Sequence, residues 1–186
     1  MAKTYNTLGT VAPGDVLRAN SGTAAYNGVI TNVNNYRVPP LCVVYKTASQ
    51  NIANNTGVIL TWDAEYLDTD AMWSSGATMT TSTAGVYLVS ASIQWATNTA
   101  GIRRLNIQKN ISGTTYDTAK RVWEWNAGPM GTVGWAGANY TAFVDAAAND
   151  TWALGVVQNT GGALNVNGDA TSIEVTFAMY WLGQKS

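Results

Sequence analysis

The stretch STAGVYLVSASIQWA, residues 82–96, constrains the fold more than any other part of the chain. From Gly85 onward the odd positions Tyr87, Val89, Ala91, Ile93 and Trp95 are apolar, while Ser90, Ser92 and Gln94 on the other parity are polar. Side chains of an extended strand alternate between two faces, so this spacing predicts a strand with one face in a core. The closing stretch SIEVTFAMYWL predicts another: Ile173, Val175, Phe177, Met179 and Trp181 share one face, with Ser172, Glu174 and Thr176 opposite. Six further segments follow the same habit: LCVVYKT, GVILTWD, IRRLNIQKN, TAKRVWEW, NYTAFVDA and TWALGVVQN. Between them lie NISGTT, NAGPMG, AAAND, NTGG and NGDA, made of the residues that turns demand. Short strands without intervening helices predict an all-β chain, an antiparallel sandwich or jelly roll, from Leu41 onward.

Residues 1–40 are different. They are rich in Asn and Gly and close on NNYRVPP, where Pro39 and Pro40 force an extended joint poor in hydrogen bonds. Within them Asp15 is a candidate helix N-cap, and Leu17, Tyr26, Val29, Ile30 and Val33 fall at loosely helical spacing. Gly22 and Gly28 weaken that helix, so it is expected to need partners. The chain therefore divides into an N-terminal arm, 1–40, and a head, 41–186, and its 186 residues suffice for one full core.

Composition narrows the function. Asp, Glu, Lys and Arg make up 11% of the chain, against about 25% in ordinary globular domains. With a net charge of -1 there is no basic footprint for nucleic acid and no polybasic patch for an anionic membrane. A surface so poor in charge suits a chain covered by copies of itself. The absence of histidine removes histidine-dependent triads, histidine general bases and the common zinc and iron sites. The lone Cys42 lies in the apolar run LCVVY and reads as a small buried hydrophobe. The start MAKTYNTLGTVAPGD lacks the basic and apolar regions of a signal peptide, and no window is apolar enough for a membrane span, so synthesis in a cytoplasm is expected.

Here the residues resemble a known family. TAGVYLVSASIQWA is similar to the central strand of the jelly rolls of complement C-one-q and tumour necrosis factor, with Gly85, Tyr87 and Val89 at the signature positions. ANDTWALGVVQNTGGALNV resembles that family's late strand pair, with Asp150 matching and Asn149 standing where Gly is usual. TSIEVTFAMYWLG resembles its closing strand. Met79 and Val89 replace two expected phenylalanines, which places the chain on a distant branch. The resemblance covers residues 41–184 and implies a homotrimer packed around a threefold axis. The stretch APGDVLRANSGTAAYNGVITNVNNYRVPP is similar to N-terminal segments of tailed-phage structural proteins, especially minor tail or fibre proteins of phages infecting actinobacteria.

Three groups of residues are candidates for contact or chemistry. Asp63, Glu65, Asp68 and Asp70 fall within eight residues and offer oxygens to calcium, although their spacing matches no EF-hand. The plainer reading is a solvated loop. Trp123 and Trp125 lie on one face of a strand, with Trp135 after a Gly-Pro turn. Flat indoles stack on sugar faces, whereas alternate tryptophans on a strand more often pack in cores or between subunits. Asp63 and Glu65 form a formal glycosidase pair, although acidic pairs are common in loops.

Together these readings predict a non-enzymatic virion protein of a tailed phage, with no cofactor. Leu17, Tyr26, Val29, Ile30 and Val33 would anchor the arm on other virion proteins, ordering there because the arm is too polar to fold alone. Trp123, Trp125 and Trp135 would meet a partner subunit or a host cell-surface glycan. The alternatives are a capsid decoration trimer, a glycan depolymerase and a free complement-like binding module.

Overall fold

The computed structural model of the chain describes residues 38–129 and 136–185. Among the described residues the strands are β1 (Leu41–Tyr45), β2 (Gln50–Ile52), β3 (Val58–Ile59), β4 (Ala64–Asp68), β5 (Thr78–Thr80) and β6 (Gly85–Trp95). They continue with β7 (Arg103–Lys109), β8 (Arg121–Ala127), β9 (Ala136–Ala146), β10 (Thr151–Gln158), β11 (Leu164–Val166) and β12 (Thr176–Gly183). A 3-10 turn at Thr118–Lys120, capped by Asp117, is the one helical piece described. The strands form two antiparallel sheets, as predicted. The first runs β2-β11-β6-β12-β1-β4, with β9 paired along the whole of β6, and the second runs β3-β10-β7-β8, with β5 also paired to β10.

The alternation of residues 85–95 is realised residue by residue. Tyr87, Val89, Ala91, Ile93 and Trp95 are buried, and the positions between them are half-buried on the outer face. They meet Cys42 and Val44 of β1, Phe177, Met179 and Trp181 of β12, and, from the second sheet, Leu105, Ile107, Trp152, Leu154 and Val156. The indole of Trp62 stacks on Phe177, with ring centroids 5.8 Å apart. Each such large side chain contributes about 1.5–3 kcal/mol by leaving water, enough in sum to hold two sheets together. Gly85 is demanded by this packing, since a side chain there would run into the Trp181 indole and the Gly183 carbonyl.

The structure corrects the sequence reading in three places. Ile173 does not share the core face of β12; it is 46% exposed. Asp169 is the cause: its carboxylate accepts from the Thr171 amide and hydroxyl and from the Ser172 hydroxyl, and the chain is still turning when it reaches Ile173. GVILTWD supplies only Val58–Ile59 to a ladder, then leaves it through Leu60, which bonds Leu154, and Trp62, which bonds Gly76. The acidic stretch expected as a loop holds β4, whose charged Glu65 and Asp68 lie on the outermost strand of the first sheet, a position where charge discourages further strand pairing.

Candidate functional site

The outer face of the first sheet is unusual for a surface. Its residues are Leu67 of β4; Leu41, Val43 and Tyr45 of β1; Thr176, Ala178, Tyr180 and Leu182 of β12; the even positions Val86 to Gln94 of β6; and Asn139, Thr141, Phe143 and Asp145 of β9. Asp145 alone among them is charged, and it is paired with Lys185. The register sets Leu41, Tyr180, Leu88 and Phe143 side by side across four strands. Phe143 is 65% exposed, and Leu67, Tyr180 and Leu182 are each exposed by 38–44%. A row of aromatic and aliphatic side chains with charge excluded is the composition of the centre of a protein interface.

These residues were absent from the sequence-predicted set. A signal existed: in FAMYWL and NYTAFVDA both parities carry large apolar residues, the mark of a strand covered on both faces.

Trp123 and Trp125 do share a face, opposite Ile107 and Leu105 of β7. Their environments differ. Trp125 packs on the core, whereas Trp123 is 48% exposed beside a shallow cleft with Thr118, Arg121, Val122 and Glu124. Trp135 lies outside the described residues, as do Leu17, Tyr26, Val29, Ile30 and Val33.

The acidic residues are not brought to a common point. Asp63 accepts from the amides of Thr47 and Ala48 at 2.9 and 3.1 Å and pairs with the buried Lys46 at 3.4 Å. Asp68 accepts from the amides of Asp70 and Trp73, Asp70 accepts from the Ser82 hydroxyl, and Glu65 is exposed on β4. Three of the four carboxylates thus hold turns. Among the described residues no group of three His, Cys, Asp or Glu side chains is placed to hold a metal ion. Cys42 is buried, and burial first, then the neighbouring Asp68 carboxylate, pushes its thiol well above the usual range, which suits packing and not nucleophilic attack. Among the described residues no helix is long and apolar enough to cross a membrane.

The sequence matches no protein-family model and none of the curated proteins. Solved structures do match. The chain is similar to murine APRIL at pH 8.0 (TM-score 0.55, 8% identity, 77% of this chain and 98% of that one). It is similar to Eiger TNF from S. frugiperda (0.55, 12%, 79% and 94%) and to the globular domain of zebrafish complement 1qA (0.53, 11%, 78% and 99%). The chain has the fold of the TNF- and complement-like jelly rolls. At such identities the likeness is one of fold, so what this jelly roll does must be argued from its own surfaces.

Proposed function

We propose that the chain is a non-enzymatic structural protein whose jelly-roll head, residues 41–186, assembles as a homotrimer through the outer face of the first sheet. The observation that carries this is the uncharged row Leu41, Tyr180, Leu88 and Phe143 with Leu67 and Leu182 beside it. Left in water, such a face invites association; covered by copies of itself, it adds burial at no cost in buried charge. A stable interface of this kind covers about 800 Å² on each partner, within reach of one sheet face. Light scattering of the purified chain is expected to return three times the 19.7 kDa of one copy. A monodisperse monomer at micromolar concentration would overturn the trimer.

The particle we assign it to is the virion of a tailed phage, assembled in the host cytoplasm, with residues 1–40 as the attachment arm and the head held outward as a minor tail or fibre protein. What supports this is the likeness of residues 12–40 to phage structural proteins and the sparse charge of the whole chain. A capsid decoration trimer is the second reading. It is favoured by the placement of the exposed aromatics: among the described residues Tyr66, Trp123, Phe143 and Tyr180 lie on strands and not in loops, where an adhesin would carry them. Labelling intact particles with an antibody to the head separates tail from capsid, and failure to label any particle would sink both.

A further inference from the structure

The cleft beside Trp123 is the surface feature that the packing of the head leaves unexplained. β8 ends the second sheet, and its register with β7 passes from Ile107–Trp123 to Gln108–Arg121, so Val122 is an extra residue, a bulge. Bulges on edge strands re-aim side chains, and here Val122 and Trp123 are both left about half exposed. Together with Thr118, Arg121 and Glu124 they line a depression of about 380 Å³. Its polar rim is set in place by the chain itself: the Arg121 guanidinium donates to the Thr118 carbonyl at 3.1 Å and pairs with the Glu124 carboxylate. Around it Asp117 and Glu124 offset Lys120 and Arg121, so the site carries no net charge. The larger cleft, at Gly85, Lys109, Asp145 and Lys185, has its charges matched internally, Lys185 on Asp145 and Lys109 on Asp150.

We propose that this cleft is a binding subsite for an uncharged pyranose. A sugar ring presents an apolar face of C–H bonds and a rim of hydroxyls. The first fits the half-exposed indole of Trp123, and the second fits a guanidinium that donates beside a carboxylate that accepts. The neutral balance gives a polyanion nothing to hold, which sets a neutral saccharide apart from nucleic acid or a sulfated glycan. A flat apolar peptide would leave the Arg121–Glu124 pair unmatched. The cleft lies on the second sheet and the apolar row on the first, so this inference stands or falls separately from the trimer.

The test uses the full chain with cellohexaose, chitohexaose and mannohexaose as probes, followed by calorimetry and saturation-transfer NMR. At least one is expected to bind with a Kd on the order of 1 mM, the range of a shallow site with one stacking ring. Trp123→Ala is expected to weaken that binding at least about tenfold, Trp123→Phe to retain part of it, and Arg121→Gln to weaken it several-fold. Melting temperature and mass measured beside each variant show whether fold and assembly are kept. The inference is overturned if no probe binds the wild type, if Trp123→Ala binds as well as wild type while folded, or if heparin oligosaccharides bind where the neutral ones do not.

Discussion

Asp150 shows how one residue ties the head together. Its carboxylate accepts from the Asn110 side chain at 2.8 Å and the Ala147 amide at 2.6 Å, and pairs with Lys109 at 2.7 Å. Lys109 in turn sits over the Trp152 ring, 5.2 Å from its centroid. Burial pushes the Asp150 carboxyl up, but these hydrogen bonds and the Lys109 charge outweigh it and hold the group below its ordinary value of 3.8. The unfolded chain therefore takes up the proton first as pH falls, so the stabilisation is fully present above 3.8 and is lost as pH drops through the folded-state value. Asp150→Asn is expected to cost about 2 kcal/mol at neutral pH. It should also flatten the fall in stability below 3.8, in part only, because Asp169 is likewise held low by its hydrogen bonds to Thr171 and Ser172. Urea melts of both chains across the acid range check this; parallel curves would refute the linkage. Cys42 is a second residue-scale case: iodoacetamide should leave it untouched in the native chain and modify it fully in denaturant, as mass spectrometry will show.

At the scale of elements, part of the outer face of the second sheet is covered by its own chain. The loop after β7 folds back so that Ile111 and Tyr116 pack on Ile59, Ala77 and Ala153, a small second core. The Asn106 side chain donates to the Tyr116 hydroxyl at 2.8 Å, and Gln108 donates to Asn106 and accepts from the Asp117 amide. Gly155 makes room for this, since an added Cβ would press on Asn106 and on the Tyr116 ring. Gly155→Ala is thus expected to destabilise by about 2 kcal/mol, and to raise amide exchange in residues 111–117 before the rest of the sheet. Uniform exchange with an unchanged melt would show that the loop is not held this way. The long strands were legible in the sequence because one face of each meets a core: residues 85–95 and 176–181 alternate in burial as they alternate in type. β4 was not, because AEYLD on an outermost strand carries no apolar period. Asn149, where the resemblance led to an expectation of glycine, has φ +68, the left-handed region that glycine prefers and asparagine tolerates. The shared face of Trp123 and Trp125 was legible too, but not the division between them, which depends on the bulge at Val122 and on β8 ending its sheet. Leu88, Phe143 and Tyr180 escaped because a surface is recognised as apolar only when the strands are set side by side.

For the whole molecule, the proposed assembly through the outer face of the first sheet predicts that stability depends on concentration. If three copies share that face, folding and assembly are linked, and the melting temperature must rise with protein concentration, since mass action favours the state with fewer free particles. Phe143 is the residue to change. It is 65% exposed in the single chain, so Phe143→Glu removes little from the core and is expected to alter the stability of one copy by no more than about 0.5 kcal/mol. In the assembly the same change places a carboxylate at the centre of an apolar contact, where its desolvation costs several kcal/mol without a partner. The variant should therefore sediment as a folded monomer whose melting temperature no longer depends on concentration. Salt adds a separate constraint. Interfaces built on opposite charges loosen as ionic strength rises, but among the described residues named on this face Asp145 alone is charged, and it is paired with Lys185. Raising sodium chloride should leave the proposed trimer intact. A trimer that dissociates in salt, or a Phe143→Glu chain that remains trimeric, would move the interface to another surface of the head.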